Sequence, residues 1–213
     1  MSTTIDVYPA IAFMPLVEQT RARAQVLFQE FLDQHGVRSK IEVKAFYPSS
    51  QDIPIQYVDK DLRWHPKLHL GFGYFIDGKW DSDSWPSCIA VEPDDFVTKE
   101  DCEPPFDCDP KLIGSRIISE DQLDYLPHDK VDQVLAQDHY WYEYRNFGGS
   151  AIASTGYGFV VAAIAELTDG VIASFDLAFD SKHSGETSTQ FLSWWGDDRI
   201  EMYGRERFQA ARI

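Results

Sequence analysis

Cations are scarce in this chain: 19 Lys and Arg stand against 35 Asp and Glu over 213 residues, a formal charge of −16. A surface of that sign repels phosphate backbones, which argues against nucleic acid as a partner. Long apolar runs are lacking too. The longest, Phe159 to Ala165, is far too short to cross a bilayer, so no membrane role is expected. Cysteine is sparse and odd in number, at Cys88, Cys102 and Cys108. The first residues carry no basic region followed by a long apolar stretch and a small-residue cleavage site. Ile11 to Val17 is apolar but short and holds Pro15. The expectation is a cytoplasmic protein with reduced thiols, a Cys102–Cys108 disulfide being the alternative.

Motifs that carry catalysis are missing as well. Gly71-x-Gly73, Gly148-Gly149 and Gly156-x-Gly158 lack the following Lys-Ser/Thr or the full glycine fingerprint of a phosphate loop. Ser150 and Ser154 do not form a Gly-x-Ser-x-Gly elbow. His65 and His69 are four apart, the spacing of two ligands on one helical face, but Pro66 interrupts them and no Glu follows the first. Cys102-x5-Cys108 has no second pair to complete a zinc site. Both thiols sit among carboxylates, which raise a thiol pKa and disfavour nucleophilic use, while Cys88 reads as a small buried hydrophobe. Asp81 with Asp83, or Asp107 with Asp109, lacks the glycine and terminal glutamate of a calcium loop. No catalytic residue, metal ligand or cofactor is therefore assigned.

What the chain does have is a concentrated acidic stretch carrying large aromatics. From Asp77 to Asp109, eleven acids against Lys79 and Lys99 give −9, more than half the total charge. Trp80, Trp85, Phe96 and Phe106 lie among them. Such a field speeds encounter with a cationic protein, and the rings supply contact area. Acidic loops also simply keep a protein soluble.

Apolar spacing predicts an amphipathic helix from Leu16 to Gln34, stopped by Gly36. Ile41 to Phe46 alternates as a strand, and Asp52 to Val58 reads as an edge strand around Pro54. Leu68 to Ile76, the Asp77-Gly78 turn and a return strand near Lys79 and Trp80 form a hairpin, with Cys88 to Val91 a further short strand. Glu92 to Lys111 reads as a long surface loop. Short helices are expected from Ser119 and from Asp129, and a strand from His139 to Arg145 with Tyr140, Tyr142 and Tyr144 on one face. A buried helix over Tyr157 to Leu167, a strand over Val171 to Phe175 and a helix over Thr187 to Trp195 complete the reading. The fold class is α+β: residues 1–213 as a single domain, an antiparallel or mixed sheet packed with a few helices. A long acidic surface loop goes with it, in an acidic loop-rich insertion around 77–111.

One stretch has a familiar order. An Ala-rich helix is followed by Thr168-Asp169-Gly170-Val171-Ile172-Ala173-Ser174, then Asp176-Leu177-Ala178-Phe179-Asp180, then Gln190-Phe191-Leu192-Ser193-Trp194-Trp195. This resembles the C-terminal pattern of bacterial toxin-immunity-like proteins, with Leu177, Phe179 and Gln190 replacing that pattern's Gly, Trp and Glu. The resemblance covers residues 159–195. It implies a protein that neutralises a cognate toxin by binding it and is not an enzyme.

Together these readings point to an acidic immunity protein that occludes the active site of a basic toxin domain. Its partner-binding residues would be Trp80, Asp81, Asp83, Trp85, Glu92, Asp94 and Asp95. Two alternatives stay open: a carboxylate-dependent hydrolase or carbohydrate-active enzyme, whose paired acids need no sequence spacing, and a self-assembling structural protein. The oligomeric state is not legible in the sequence.

Overall fold

A computed structural model describes residues 3–49, 54–90, 111–113, 116–118, 127–145, 149–174 and 177–209. Glu92, Asp94, Asp95, Cys102, Cys108 and the helix expected from Ser119 lie outside the described residues. The described strands are β1 (Thr3–Tyr8), β2 (Ile41–Phe46), β3 (Gly71–Ile76), β4 (Lys79–Ala90), β5 (Lys111–Ile113), β6 (Arg116–Ile118), β7 (His139–Arg145), β8 (Val171–Ala173) and β9 (Glu186–Thr187). The described helices are α1 (Val17–Gln34), α2 (His128–Leu135), α3 (Ala151–Leu167) and α4 (Ser188–Tyr203). The chain forms a single-domain α+β fold.

Seven strands form one sheet in the order β2-β3-β4-β7-β1-β8-β9, with every pairing antiparallel. β5 and β6 make a separate two-stranded ladder. Helices α1 and α4 pack on α3, which lies against the sheet. Strand alternation sends Ile5, Val7, Val43, Phe72, Tyr74 and Trp141 into this core. On the other face, Tyr8, Tyr140, Val171 and Ala173 meet Val134 of α2 in a smaller cluster.

Local sequence accounts for several element ends. Asp77 and Gly78 both hold positive φ (50° and 77°), the geometry of a type I′ hairpin turn. Gly36 stops α1 with φ 69°. Thr187 caps α4 and exchanges hydrogen bonds with Gln190 in a capping box. α3 is buried along nearly its whole length, and it approaches its neighbours through glycine. A Cβ on Gly158 would stand 2.2 Å from the Trp195 indole, and one on Gly156 would stand 2.6 Å from the Tyr74 ring.

Several expectations need correction. β4 runs from Lys79 to Ala90, so the separate strand at Cys88 is the end of one long strand. Pro86 does not break it: its carbonyl accepts from the Leu70 N–H, and its neighbours stay in register with β7. The edge strand around Pro54 shrinks, among the described residues, to a bridge between Tyr57 and Phe46. α3 begins at Ala151 and α4 reaches Tyr203, both beyond the bounds the apolar spacing sets. β1, absent from the sequence reading, joins β7 to β8.

Candidate functional site

The site grows from an irregularity in the β3–β4 hairpin. Tyr74 pairs with Ser82 but Phe75 pairs with Trp80, which leaves Asp81 as the extra residue of a β-bulge. The bulge turns Asp81 toward the start of α3. Its carboxylate accepts hydrogen bonds from Ser150 Oγ (2.5 Å) and Ser82 Oγ (2.6 Å). Ser150 also caps α3 by accepting from the Ala153 N–H. Strand and helix are thereby fixed to each other.

On the sheet face away from α1 and α3, the ring of Phe46 is the floor of an aromatic patch. Trp80 and Trp85 stand edge-on to it at 5.9 and 5.4 Å. The glycines of β3 make room: a Cβ on Gly71 would overlap Phe46, and one on Gly73 would overlap Trp80. His69 stacks on Trp85 at 5.4 Å and shares a 2.5 Å hydrogen bond with Ser87. Tyr144 lies opposite Trp85 in the β4–β7 register. Large apolar surface stays in water here, with Trp80 43%, Tyr144 42% and Tyr57 48% exposed. Lys44 covers Phe75 and Tyr57 at 4.6 and 5.6 Å.

Where this face meets the start of α3, a pocket of about 230 Å³ opens. β4 supplies Trp80, Ser82, Asp83, Ser84 and Trp85, and β7 supplies Tyr144. Ala153, Ser154 and Tyr157 of α3 close the far side. The Asp83 carboxylate accepts from Trp85 Nε1 at 3.2 Å. Burial raises its pKa, against the lowering effect of that hydrogen bond. No Lys, Arg or His lines the pocket among the described residues.

Beneath the pocket, toward the core, Glu143 of β7 is 1% exposed between Pro86 and Ile5 in the sheet register. Among the described residues, neither of its carboxyl oxygens has a hydrogen-bond partner of regular geometry. Burial pushes its pKa up to about 8, with Ser84 and the Trp85 backbone offsetting only part of that rise. Nearby, Tyr74 Oη and Ser84 Oγ share a 2.7 Å hydrogen bond.

Of the residues assigned from sequence, the structure brings Trp80, Asp83 and Trp85 to one pocket and ties Asp81 to its rim. Tyr144, Ser154 and Tyr157 join them through register and helix packing that no local pattern encodes. Other sequence candidates fall elsewhere. His65 bonds the Pro66 carbonyl, and no group of three metal-ligating side chains occurs among the described residues. Cys88 is buried, with its thiol pushed up to about 12 by burial and by the charge of Asp138. In the stretch that carries the immunity-protein resemblance, Asp180 is exposed and caps a 3-10 turn over Ser181–His183, while Asp176 lies outside the described residues. Glu186 there accepts from Trp194 Nε1 and bonds His183, both at 2.6 Å. No helix among the described residues is long and apolar enough to cross a membrane. Comparison with protein-family models, with curated proteins and with solved structures returns no match to this chain.

Proposed function

We propose that this is an acidic binding protein that neutralises a basic partner, an immunity protein blocking the active site of a cognate bacterial toxin. The observation that carries the reading is the aromatic corner of exposed Trp80 and Tyr144 and half-buried Trp85 beside the carboxylate of Asp83. Aromatic anchors beside partly desolvated charge are the composition of protein–protein hot spots. The rigid sheet and the Asp81–Ser150 contact hold these groups in place before binding, which lowers the ordering cost of association. Occlusion follows from charge: cationic side chains lining a toxin's cleft would pair with this corner, and the chain's −16 would steer the encounter. Truncating one member of a desolvated charge pair costs roughly 2–5 kcal/mol, so one or two acids should dominate.

A second reading draws on the same corner. Stacking rings beside a carboxylate of raised pKa are also features of carbohydrate-active hydrolases. One experiment separates the two. The purified protein is used as bait in native lysate at low and high salt, beside a variant with Asp81→Lys and Asp83→Lys. The expected result is a basic protein retained by the wild type at low salt, lost with the variant, and less toxic when co-expressed with the wild type. Hydrolysis of a polysaccharide with no such basic protein recovered would overturn the immunity reading.

A further inference from the structure

We infer that the pocket between β4, β7 and the start of α3 is a receptor for a single arginine side chain of the partner. This rests on the binding reading above and names the chemistry of its central contact. The pocket brings together three features that suit a guanidinium. Its walls include the aromatic side chains of Trp80, Trp85 and Tyr144, and an aromatic π face attracts a cation. A planar guanidinium stacks on such rings better than a compact ammonium does. Asp83, the lining carboxylate among the described residues, is held against the edge of Trp85 at 3.2 Å and is positioned to take the charge. The Ser154 hydroxyl on the α3 side adds an acceptor for the remaining N–H groups, of which a guanidinium has five in a fixed fork.

Size and charge agree with that occupant. About 230 Å³ admits one side-chain head and part of its stem but not a folded segment. No basic side chain among the described residues lines the space to fill the role from within. Trp80 and Tyr144 remain more than two-fifths exposed, so the cage is open at its mouth. The Asp83 carboxylate is partly desolvated before anything binds, and an incoming cation supplies a charge partner.

The test uses small probes on the full chain. N-acetyl-arginine amide is titrated into 15N-labelled protein while the tryptophan indole resonances are followed, beside its uncharged isostere N-acetyl-citrulline amide and beside N-acetyl-lysine amide. The arginine probe should shift the Trp80 and Trp85 indole signals saturably, and the citrulline probe should bind at least tenfold more weakly. Asp83→Asn should abolish the difference between them, with Trp80→Phe keeping more of the binding than Trp80→Ala. No saturable shift, equal binding of citrulline, or tighter binding of lysine would overturn the assignment. A partner that is captured as proposed but keeps its affinity for the Asp83→Asn variant would overturn the arginine pocket alone. Failure to capture any basic protein would count against the parent reading and leave the probe result standing.

Discussion

The Asp81 carboxylate accepts a 2.5 Å hydrogen bond from Ser150 Oγ, which joins the bulge of β4 to the N-cap of α3. One serine therefore serves two tasks. It satisfies an N–H of the helix start and pins the strand that carries Trp80 and Asp83. Ser150→Ala should lower stability by about 1 kcal/mol through the lost cap alone. Asp81→Asn keeps an acceptor and should cost less. In a double-mutant cycle by urea denaturation, the coupling between the two sites should exceed about 0.5 kcal/mol. Strict additivity would mean that the contact adds nothing to the hold on the corner.

Glu143 makes stability depend on pH in an unusual direction. Burial pushes its carboxyl in the folded chain up to about 8, far above the 4.5 of an ordinary glutamate. The folded state thus keeps a proton that the unfolded state gives up. The contribution is fully present below about pH 4.5 and is lost as pH rises to about 8, where the buried group at last ionises. Over that window the linked loss is about 5 kcal/mol, opposing the gains other carboxylates make as they ionise. Glu143→Gln should remove this slope and raise the melting temperature at pH 8.5 relative to wild type. A variant whose pH profile matches the wild type would show that Glu143 does not hold its proton in the fold.

Glycine at Gly158 is a packing requirement. Trp195 is fully buried, donates from Nε1 to the Thr155 carbonyl at 3.0 Å, and lies where a Cβ on Gly158 would stand. Gly158→Ala raises helix propensity but forces the indole or the helix to move, a net loss of about 2 kcal/mol. Chemical denaturation with near-UV circular dichroism checks both the loss and the displaced tryptophan. A stabilised variant with unchanged aromatic signal would contradict this packing.

Cys88 should be inert while the chain is folded. Its side chain is fully buried and its thiol is pushed up to about 12, so little thiolate forms at pH 8. Site-resolved mass spectrometry after iodoacetamide treatment should find Cys88 unmodified in native protein and fully modified in guanidinium. Rapid native labelling at this position would contradict the burial.

Elements set by local spacing were legible in the sequence. The stripe of Ala24, Leu27, Phe28, Phe31 and Leu32 marks α1, and Asp77-Gly78 marks the β3–β4 turn. β1 was not, because only Ile5 and Val7 alternate with polar residues over a six-residue strand. Its other face holds Asp6, fully buried, which no hydropathy pattern suggests. The first turns of α3 are hidden for a related reason. Ser154, Thr155 and Gly156 look like a loop, yet their small size lets the helix lie close to Tyr74. At the site, the alternation of tryptophan and aspartate in residues 80–85 pointed to Trp80, Asp83 and Trp85. Tyr144 enters only through its pairing with Trp85, and Tyr157 through helix packing, which are long-range facts.

The most direct measurement is the affinity of the purified basic partner for three forms of the protein, by isothermal titration calorimetry at fixed salt. The forms are wild type, Asp83→Lys, and Asp198→Lys, the last a reversal at an exposed position on α4. Asp83→Lys should weaken binding by about 30-fold or more, as loss of a desolvated pair requires, and Asp198→Lys should change it by less than about threefold. Equal weakening by both would reduce the interaction to net charge. Unchanged affinity in both would contradict the placement of the binding site at the Trp80–Asp83–Trp85 corner.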